Sequence, residues 1–278
     1  MTPDAIARAF RSACLAELDA LKPGNVHHFS AGHGMEVAHF ERAAAAAAPC
    51  IAAPGARVGA RIETAVAASL KVTGLNSNLG IVLLCAPLAA AAEAAGPLRT
   101  RLATVLKGLD AGDAQAAFRA IAAANPGGLG QVAAHDVAAP ARIGLVEAMV
   151  LAAGRDRIAR QYARGFEDVF DIGLNRFAAF AQAAPEARTE AVYLAYLTAF
   201  PDSHIARKFG TAVAEEVRLE AVRVSGTVDL HAPAATRHPP LLAFDRSLKE
   251  RGLNPGTSAD LTVATLFAAA LAAEPADA

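Results

Sequence analysis

The chain has 278 residues, of which 54% are hydrophobic and 19% are charged, and its formal net charge is −1. That length allows one large domain or two small ones, with a sizeable buried core. The near-zero charge excludes the strongly basic field of a general nucleic-acid-binding protein, so any site for an anion must be local.

Helical periodicity dominates the first half of the chain. Asp4 is a candidate N-cap, and apolar residues from Ile6 to Leu21 recur at spacings of three and four, which predicts one amphipathic helix. Further helices are predicted over residues 39–48, 57–72, 79–95, 98–109 and 113–124.

The second half continues in the same way. A glycine-rich loop is predicted over residues 125–140, and a proline-bearing loop over residues 225–240. One or two helices are predicted over residues 144–183. Further helices are predicted over residues 188–199, 210–222, 241–251 and 259–273. Alternating strand patterns are nearly absent and no linker is evident. The sequence therefore predicts a single all-α domain over residues 1–278.

Cysteine usage and apolar runs bear on the location of the protein. Cys14, Cys50 and Cys85 are widely separated in apolar contexts, which is typical of free thiols in a reducing cytoplasm. Charged residues begin early in the chain, so we expect no signal peptide. The apolar runs at residues 43–56 and 81–92 are shorter than the roughly 20 residues of a membrane span, so we expect core segments and no membrane association.

Four short loops combine glycine with polar side chains at the ends of apolar helices. We name them loop 1 (residues 21–28), loop 2 (residues 73–80), loop 3 (residues 200–210) and loop 4 (residues 253–260). A helix N-terminus offers unpaired N–H groups and a positive dipole end, and both attract anions. We predict that the four loops meet around an anionic ligand.

Each loop carries residue types that bind phosphate or a nucleotide. Arginine and lysine are the usual side-chain partners of phosphate, and glycine allows close approach of the backbone. Each loop also has an ordinary interpretation as a capped helix connection or a solvated turn. The candidates are Lys22, Gly24, Asn25, Asn76, Asn78, Gly80, His204, Arg207, Lys208, Asn254 and Ser258.

Histidines and carboxylates invite a metal interpretation. The spacing of His27, His28, His33 and His39 matches no standard zinc motif, so we do not expect a transition metal. Asp260 lies in the first turn of a predicted helix, where the dipole favours an acid, and it is alternatively a carboxylate that holds Mg²⁺ bridged to phosphates.

Taken together, these motifs resemble the triphosphoribosyl-dephospho-CoA synthase family, helical enzymes that make the prosthetic-group precursor of citrate lyase and malonate decarboxylase. The resemblance covers most of the chain in order. It is carried by Lys22-Pro23-Gly24-Asn25-Val26, the segment with His33 and Glu36, Glu63, residues 74–80, residues 202–210, and residues 254–261.

The resemblance implies transfer of a triphosphoribosyl group from ATP to dephospho-CoA, with adenine as the leaving group. It implies that Lys22, Arg207 and Lys208 bind phosphate and that the amides near Asn78 to Gly80 cradle it. Glu63, Asp202 and Asp260 are then the candidates for catalytic acid–base work and for Mg²⁺ ligation, without individual assignment.

Two stretches depart from the family pattern. The family commonly has Asn-Thr-His-Lys-Gly where this chain has Asn76-Ser77-Asn78-Leu79-Gly80, and Arg-Gly-Glu where Leu129-Gly130-Gln131 stands. The chain is similar to members from organisms that use methanopterin-type one-carbon cofactors. Two alternatives therefore stay open: a related transferase that makes another phosphorylated cofactor, and a non-catalytic helical scaffold. The sequence also leaves a homo-oligomer open.

Overall fold

Fourteen α-helices and one short π-helix make up the regular structure of residues 1–32, 34–126 and 141–273, the part of the chain that this computed structural model describes. Within that part, extended structure is limited to isolated bridges near His27 and Gly32, so the all-α prediction is confirmed. That the helices form a single domain over the whole chain stays a prediction.

The helices of the first half follow the predicted order. They are α1 (Pro3–Asp19), α2 (Val37–Ile51), α3 (Val58–Thr73), α4 (Leu79–Ala92), α5 (Leu98–Lys107) and α6 (Ala111–Ala124). The second half contains α7 (Leu145–Ala152), α8 (Arg157–Ala163), the π-helix (Asp168–Gly173), α9 (Leu174–Ala179), α10 (Pro185–Ala199), α11 (Ser203–Phe209), α12 (Thr211–Ser225), α13 (Ala234–Glu250) and α14 (Gly256–Ala273).

Helix α14 runs through the centre of the protein. It packs against α1, α4 and α10, and Phe267 meets Phe10 of α1 edge to face with the ring centroids 5.8 Å apart. Among the described helices it is the one long and apolar enough to cross a membrane, and 67% of it is buried within the protein. An apolar helix buried on most sides is typical of a core element.

Two hydrophobic clusters meet along α10 and α14. The larger joins α1 to α8 with most of α14, and the smaller joins α10 to α13. Helix α10 contributes to both, since Tyr196 belongs to the larger cluster and Tyr193 to the smaller. The loops that follow α10 and precede α14 are thereby fixed between the two clusters.

Several predicted boundaries are wrong. The N-cap of α1 is Thr2 and not Asp4, because Pro3 takes the first helical position, where its missing N–H costs nothing. The predicted segment 144–183 is broken into three α-helices and the π-helix, with Gly165 in the left-handed region (φ +62°) at one break. The predicted loop 125–140 lies mostly outside the described residues.

The second half of the predicted loop 225–240 is helical. Helix α13 begins at Ala234 and includes Pro239 and Pro240. Arg237 in this stretch is buried and donates to Glu190 of α10 at 2.6 Å. Tertiary contacts of this kind outweigh local helix propensity.

Candidate active site

Asp202 joins loop 3 to loop 4. Its Oδ1 accepts from the amides of His204 (2.9 Å) and Ile205 (3.3 Å), which caps α11. Its Oδ2 accepts from both the amide and the hydroxyl of Ser258, each at 2.8 Å, at the start of α14. The neighbouring hydroxyls of Ser203 and Thr257 add a second link of 2.9 Å. One buried carboxylate thus fixes the N-termini of two helices against each other.

Loop 1 lies against loop 4. Asn25 Nδ2 donates to Asn254 Oδ1 at 2.8 Å. Gly24 has φ +83°, and a Cβ at this position would lie 2.7 Å from Pro255 Cδ. Both the left-handed backbone and the close approach require glycine here. The end of α1 is therefore adjacent to the start of α14.

Loop 2 reaches the same region through Gly80 and Asn78. A Cβ on Gly80 would overlap the carboxylate of Asp260 and lie 2.7 Å from Ile158 Cδ1, so the first turn of α4 packs directly on α14. Asn78 lines a narrow cleft together with Glu17 of α1. The predicted meeting of the four loops is therefore present in the structure.

Lys22 is placed differently from its predicted role as a phosphate ligand. Its side chain is fully buried, and its ammonium donates to Glu17, to Asn25 Oδ1 (3.2 Å) and to the Val26 carbonyl (2.6 Å). An ammonium has three donors, so these partners use all of them. Burial lowers the pKa of Lys22 and raises the pKa of Glu17, and their pairing opposes both shifts. Lys22 holds loop 1 together from inside.

Several other predicted ligands also connect one part of the protein to another. Ser258 is fully buried and bonded to Asp202, and Asn25 and Asn254 are bonded to each other. Asn78 donates to Ser69 Oγ of α3 at 3.0 Å and does not cap α4 with its side chain; Asn76 accepts from the Leu79 amide instead, at 3.4 Å. The hydrogen bonds of these side chains are made within the protein, so they stabilise the loops and are not directed at a ligand.

Cationic groups lie on α11. Arg207 is partly buried, and its guanidinium contacts Asp156 Oδ2 at 3.2 Å and His204 Nδ1 at 3.4 Å. Lys208 is exposed beside it. His204 packs over Gly256 at the start of α14, where a Cβ would lie 3.1 Å from its Nδ1. Positive charge is thus held at the junction of loops 3 and 4.

Asp260 differs from the other two carboxylates predicted for the site. It is partly buried between α4 and α14, and burial raises the pKa of Asp260 well above its usual value. The nearby Glu17, Asp202 and Asp156 raise this pKa further, while Arg207 opposes them. A carboxylate with a raised pKa at a junction of loops is suited to proton transfer.

Asp202 and Glu63 have other partners. Burial raises the pKa of Asp202, and its hydrogen bonds from Ser258, Ile205 and His204 oppose that rise. Glu63 lies where α3 meets α6 and forms a bidentate ion pair with Arg119 at 2.6 and 2.8 Å, which lowers the pKa of Glu63. Among the described contacts, none joins Glu63 to the four loops.

The described residues contain no group of three histidine, cysteine, aspartate or glutamate side chains that could hold a metal ion. The predicted set of Glu63, Asp202 and Asp260 is therefore not assembled as a metal site, because Glu63 faces α6. Mg²⁺ in nucleotide enzymes is commonly held by one or two carboxylates together with substrate phosphates. Of the three carboxylates, Asp260 is the one without a described hydrogen bond or ion pair.

Sequence reasoning missed three buried carboxylates that support loop 1. Glu17 pairs with Lys22, Glu190 accepts from the Leu21 amide at 3.3 Å, and Asp245 accepts from the Gly24 amide at 2.9 Å. The available signal was an acid at a position that helical periodicity places on a buried face. A helical pattern alone does not identify the partner of such an acid.

Comparison with known proteins identifies the family. The family model described as ATP:dephospho-CoA triphosphoribosyl transferase matches residues 3–277. The chain belongs to this family. It is a triphosphoribosyl-dephospho-CoA synthase-like transferase.

A solved structure supports this family assignment. A crystal structure from Archaeoglobus fulgidus, of a protein named for a proposed triphosphoribosyl-dephospho-CoA synthase activity, is similar to this chain with 26% identity and a TM-score of 0.65. The match covers 83% of this chain and 97% of that one. No protein of curated function matches significantly. Of the family motifs, His33 and the departure at Leu129-Gly130-Gln131 lie outside the described residues.

The different settings of Lys22 and Lys208 lead to a stability prediction. Lys22→Ala leaves Glu17 buried without its partner, so the free energy of unfolding in urea should fall by about 3–5 kcal/mol. The matched change Lys208→Ala removes an exposed ammonium and should alter stability by less than about 0.5 kcal/mol. Equal unfolding curves for the two variants would contradict the buried position of Lys22.

Proposed function

We propose that the protein transfers the triphosphoribosyl group of ATP to the 2′-hydroxyl of dephospho-CoA in the cytoplasm. The acceptor oxygen forms a bond to the anomeric carbon of the ATP ribose, the bond from that carbon to adenine breaks, and the hydroxyl proton is removed. Adenine leaves with the bonding electron pair and takes up a proton, and the triphosphate stays on the transferred sugar.

The observation that carries the proposal is the meeting of loops 1 to 4 at the starts of α4 and α14. A triphosphate that is held but not cleaved needs cations and oriented amides, and no group that attacks phosphorus. Arg207, Lys208 and His204 supply the side chains, and the first turn of α4 at Gly80 supplies N–H groups that have no acceptor within the helix. The proposed phosphate ligands are these groups, with Lys22 and Asn25 holding the loop beside them.

Asp260 is the proposed general base. A base for a sugar hydroxyl works best when its pKa lies near the operating pH, and burial among other carboxylates moves the pKa of Asp260 in that direction. Asp202 is engaged by hydrogen bonds to both oxygens, and Glu63 is neutralised by Arg119. Of the three predicted carboxylates, Asp260 is therefore the one available to act as the general base.

Mg²⁺ fits the proposed site as a partner of the triphosphate. The ion would be held mainly by phosphate oxygens and would supply additional neutralisation of phosphate charge, which leaves Asp260 for the proton transfer. Independently of the ion, Arg207 and Lys208 hold phosphate, and Asp202 fixes the position of α14.

A different acceptor is the second candidate. Loop 2 has Asn78 and Leu79 where the family has a histidine and a lysine, and Asn78 is turned inward onto Ser69. Fewer cations at this position favour a ligand with less negative charge there than in related enzymes. A related transferase acting on another phosphorylated cofactor precursor fits this observation.

The reaction can be tested with the purified protein, ATP, Mg²⁺ and dephospho-CoA, by chromatography and mass spectrometry. The proposal predicts free adenine and an acceptor that gains one triphosphoribosyl unit. Release of adenine that requires a different acceptor would support the second candidate. If ATP with Mg²⁺ gives neither adenine nor a change in the unfolding temperature, both are wrong.

Asp260→Asn should lower turnover by about 100- to 10,000-fold, the usual contribution of a general base. The same change should stabilise the fold at neutral pH. Because the pKa of Asp260 is raised in the folded state, its protonated form is favoured there, and this contribution to stability is fully present only below the unfolded-state pKa. The contribution is lost as pH rises through the folded-state pKa, so at neutral pH the ionised Asp260 lowers the free energy of unfolding.

Thermal unfolding at acidic and alkaline pH measures this effect, and the gain from Asp260→Asn should be larger at the alkaline pH. In the wild type, turnover should fall as pH drops through the raised pKa. Glu63→Gln is the matched control, because it removes a carboxylate paired on another face, and its turnover should stay close to wild type. A larger loss in Glu63→Gln than in Asp260→Asn would overturn the assignment.

A further inference from the structure

The backbone of loop 1 is held by three side chains from helices far away in the sequence. Glu190 of α10 accepts from the Leu21 amide at 3.3 Å, and Tyr193 of α10 donates to the Pro23 carbonyl at 2.6 Å. Asp245 of α13 accepts from the Gly24 amide at 2.9 Å. All three side chains are buried. Three successive parts of the loop 1 backbone are therefore hydrogen-bonded to α10 or α13.

Asp245 also binds two side chains near loop 1. Besides the Gly24 amide, its carboxylate contacts Lys249 Nζ at 3.0 Å and His27 Nε2 at 3.3 Å. Lys249 also donates to the Ser30 carbonyl at 3.0 Å. Asp245 and Lys249, one turn apart on α13, thus fix Gly24 and Ser30, which lie on either side of Asn25, His27 and His28.

The position of Gly24 is transmitted to loop 4. Gly24 abuts Pro255, and the next residue, Asn25, is bonded to Asn254. Helix α14 begins directly afterwards and carries Asp260 in its second turn. A shift of Gly24 would consequently shift the start of α14, although Asp245 itself lies behind the loop.

We propose that Asp245 is a positioning residue of the transferase site: its hydrogen bond to the Gly24 amide sets the register of loop 1 against the start of α14. The inference rests on the proposed function for its kinetic consequence only. A misplacement of about 1 Å far from the chemistry can lower a rate by about 100-fold.

Asp113 of α6 provides a closely matched control. It is buried, it accepts from the amide of a glycine (Gly59) at 2.9 Å, and it pairs with a cation, Arg57, at 2.6 Å. Each aspartate thus satisfies one buried glycine amide and one cation. Asp113 connects α6 to α3 and has no described contact with loops 1 to 4.

The experiment compares Asp245→Ala, Asp245→Asn and Asp113→Ala at a temperature at which unfolding curves show all three to be folded. Asp245→Ala should lower kcat by about 100-fold with a smaller change in KM, because alignment and not ground-state binding is lost. Asp245→Asn keeps an oxygen that can accept from Gly24, so it should restore most of the rate. Asp113→Ala should lose stability and keep kcat.

Equal kcat values for the folded Asp245→Ala and Asp113→Ala variants would overturn the proposal. So would an Asp245→Asn variant as slow as Asp245→Ala, since charge and not the hydrogen bond would then matter. Amide exchange at Gly24 needs no substrate: exchange should accelerate in Asp245→Ala and stay slow in Asp245→Asn. If the wild type transfers no triphosphoribosyl group, the proposed function fails, and this exchange measurement still decides whether Asp245 positions the loop.

Discussion

The arrangement of the site depends on one buried carboxylate, Asp202. Burying an aspartate is unfavourable unless hydrogen bonds replace its hydration, and here four donors from two helix N-termini do so. Because two donors belong to α11 and two to Ser258 of α14, the carboxylate is satisfied only when these helices lie together. The relative position of Arg207 and Asp260 follows from this constraint.

The other loops join this unit by contacts that allow little variation. Gly24 and Gly80 are places where backbone lies directly against Pro255 and Asp260, so neither position has room for a side chain. Lys22 uses its three donors on Glu17 of α1 and on Asn25 and the Val26 carbonyl of loop 1. Many of the polar residues at the junction thus hold the backbone, and the proposed function assigns the ligand to Asp260, Arg207 and Lys208.

Much of the fold could be predicted because helical periodicity and composition are local signals. The order of the helices from α1 to α6 follows from such patterns, whereas the meeting of the four loops was a hypothesis drawn from their shared glycine and polar residues. The boundary of α13 could not be predicted, since its two prolines argue against a helix locally and the buried pair of Arg237 with Glu190 is a long-range contact. The ion pairs of Lys22 and Glu63 could not be predicted for the same reason, because their partners, Glu17 and Arg119, are identified only by the folded structure.

Loop 2 differs from the family pattern in charge and still keeps its attachment to the rest of the protein. Substitutions such as Asn78 and Leu79 for a histidine and a lysine alter the charge of loop 2, yet Asn78 keeps the loop attached to α3 through Ser69. The framework of Asp202, Lys22 and Asp245 is independent of that exchange.

The most direct measurement is the position of a bound triphosphate in a crystal structure of the protein with ATP and Mg²⁺. Phosphate groups are expected beside the first turn of α4 at Gly80 and within reach of Arg207, with Asp260 facing the ribose. Phosphates bound on the face where Glu63 meets Arg119, or at any place that the four loops do not share, would contradict this expectation.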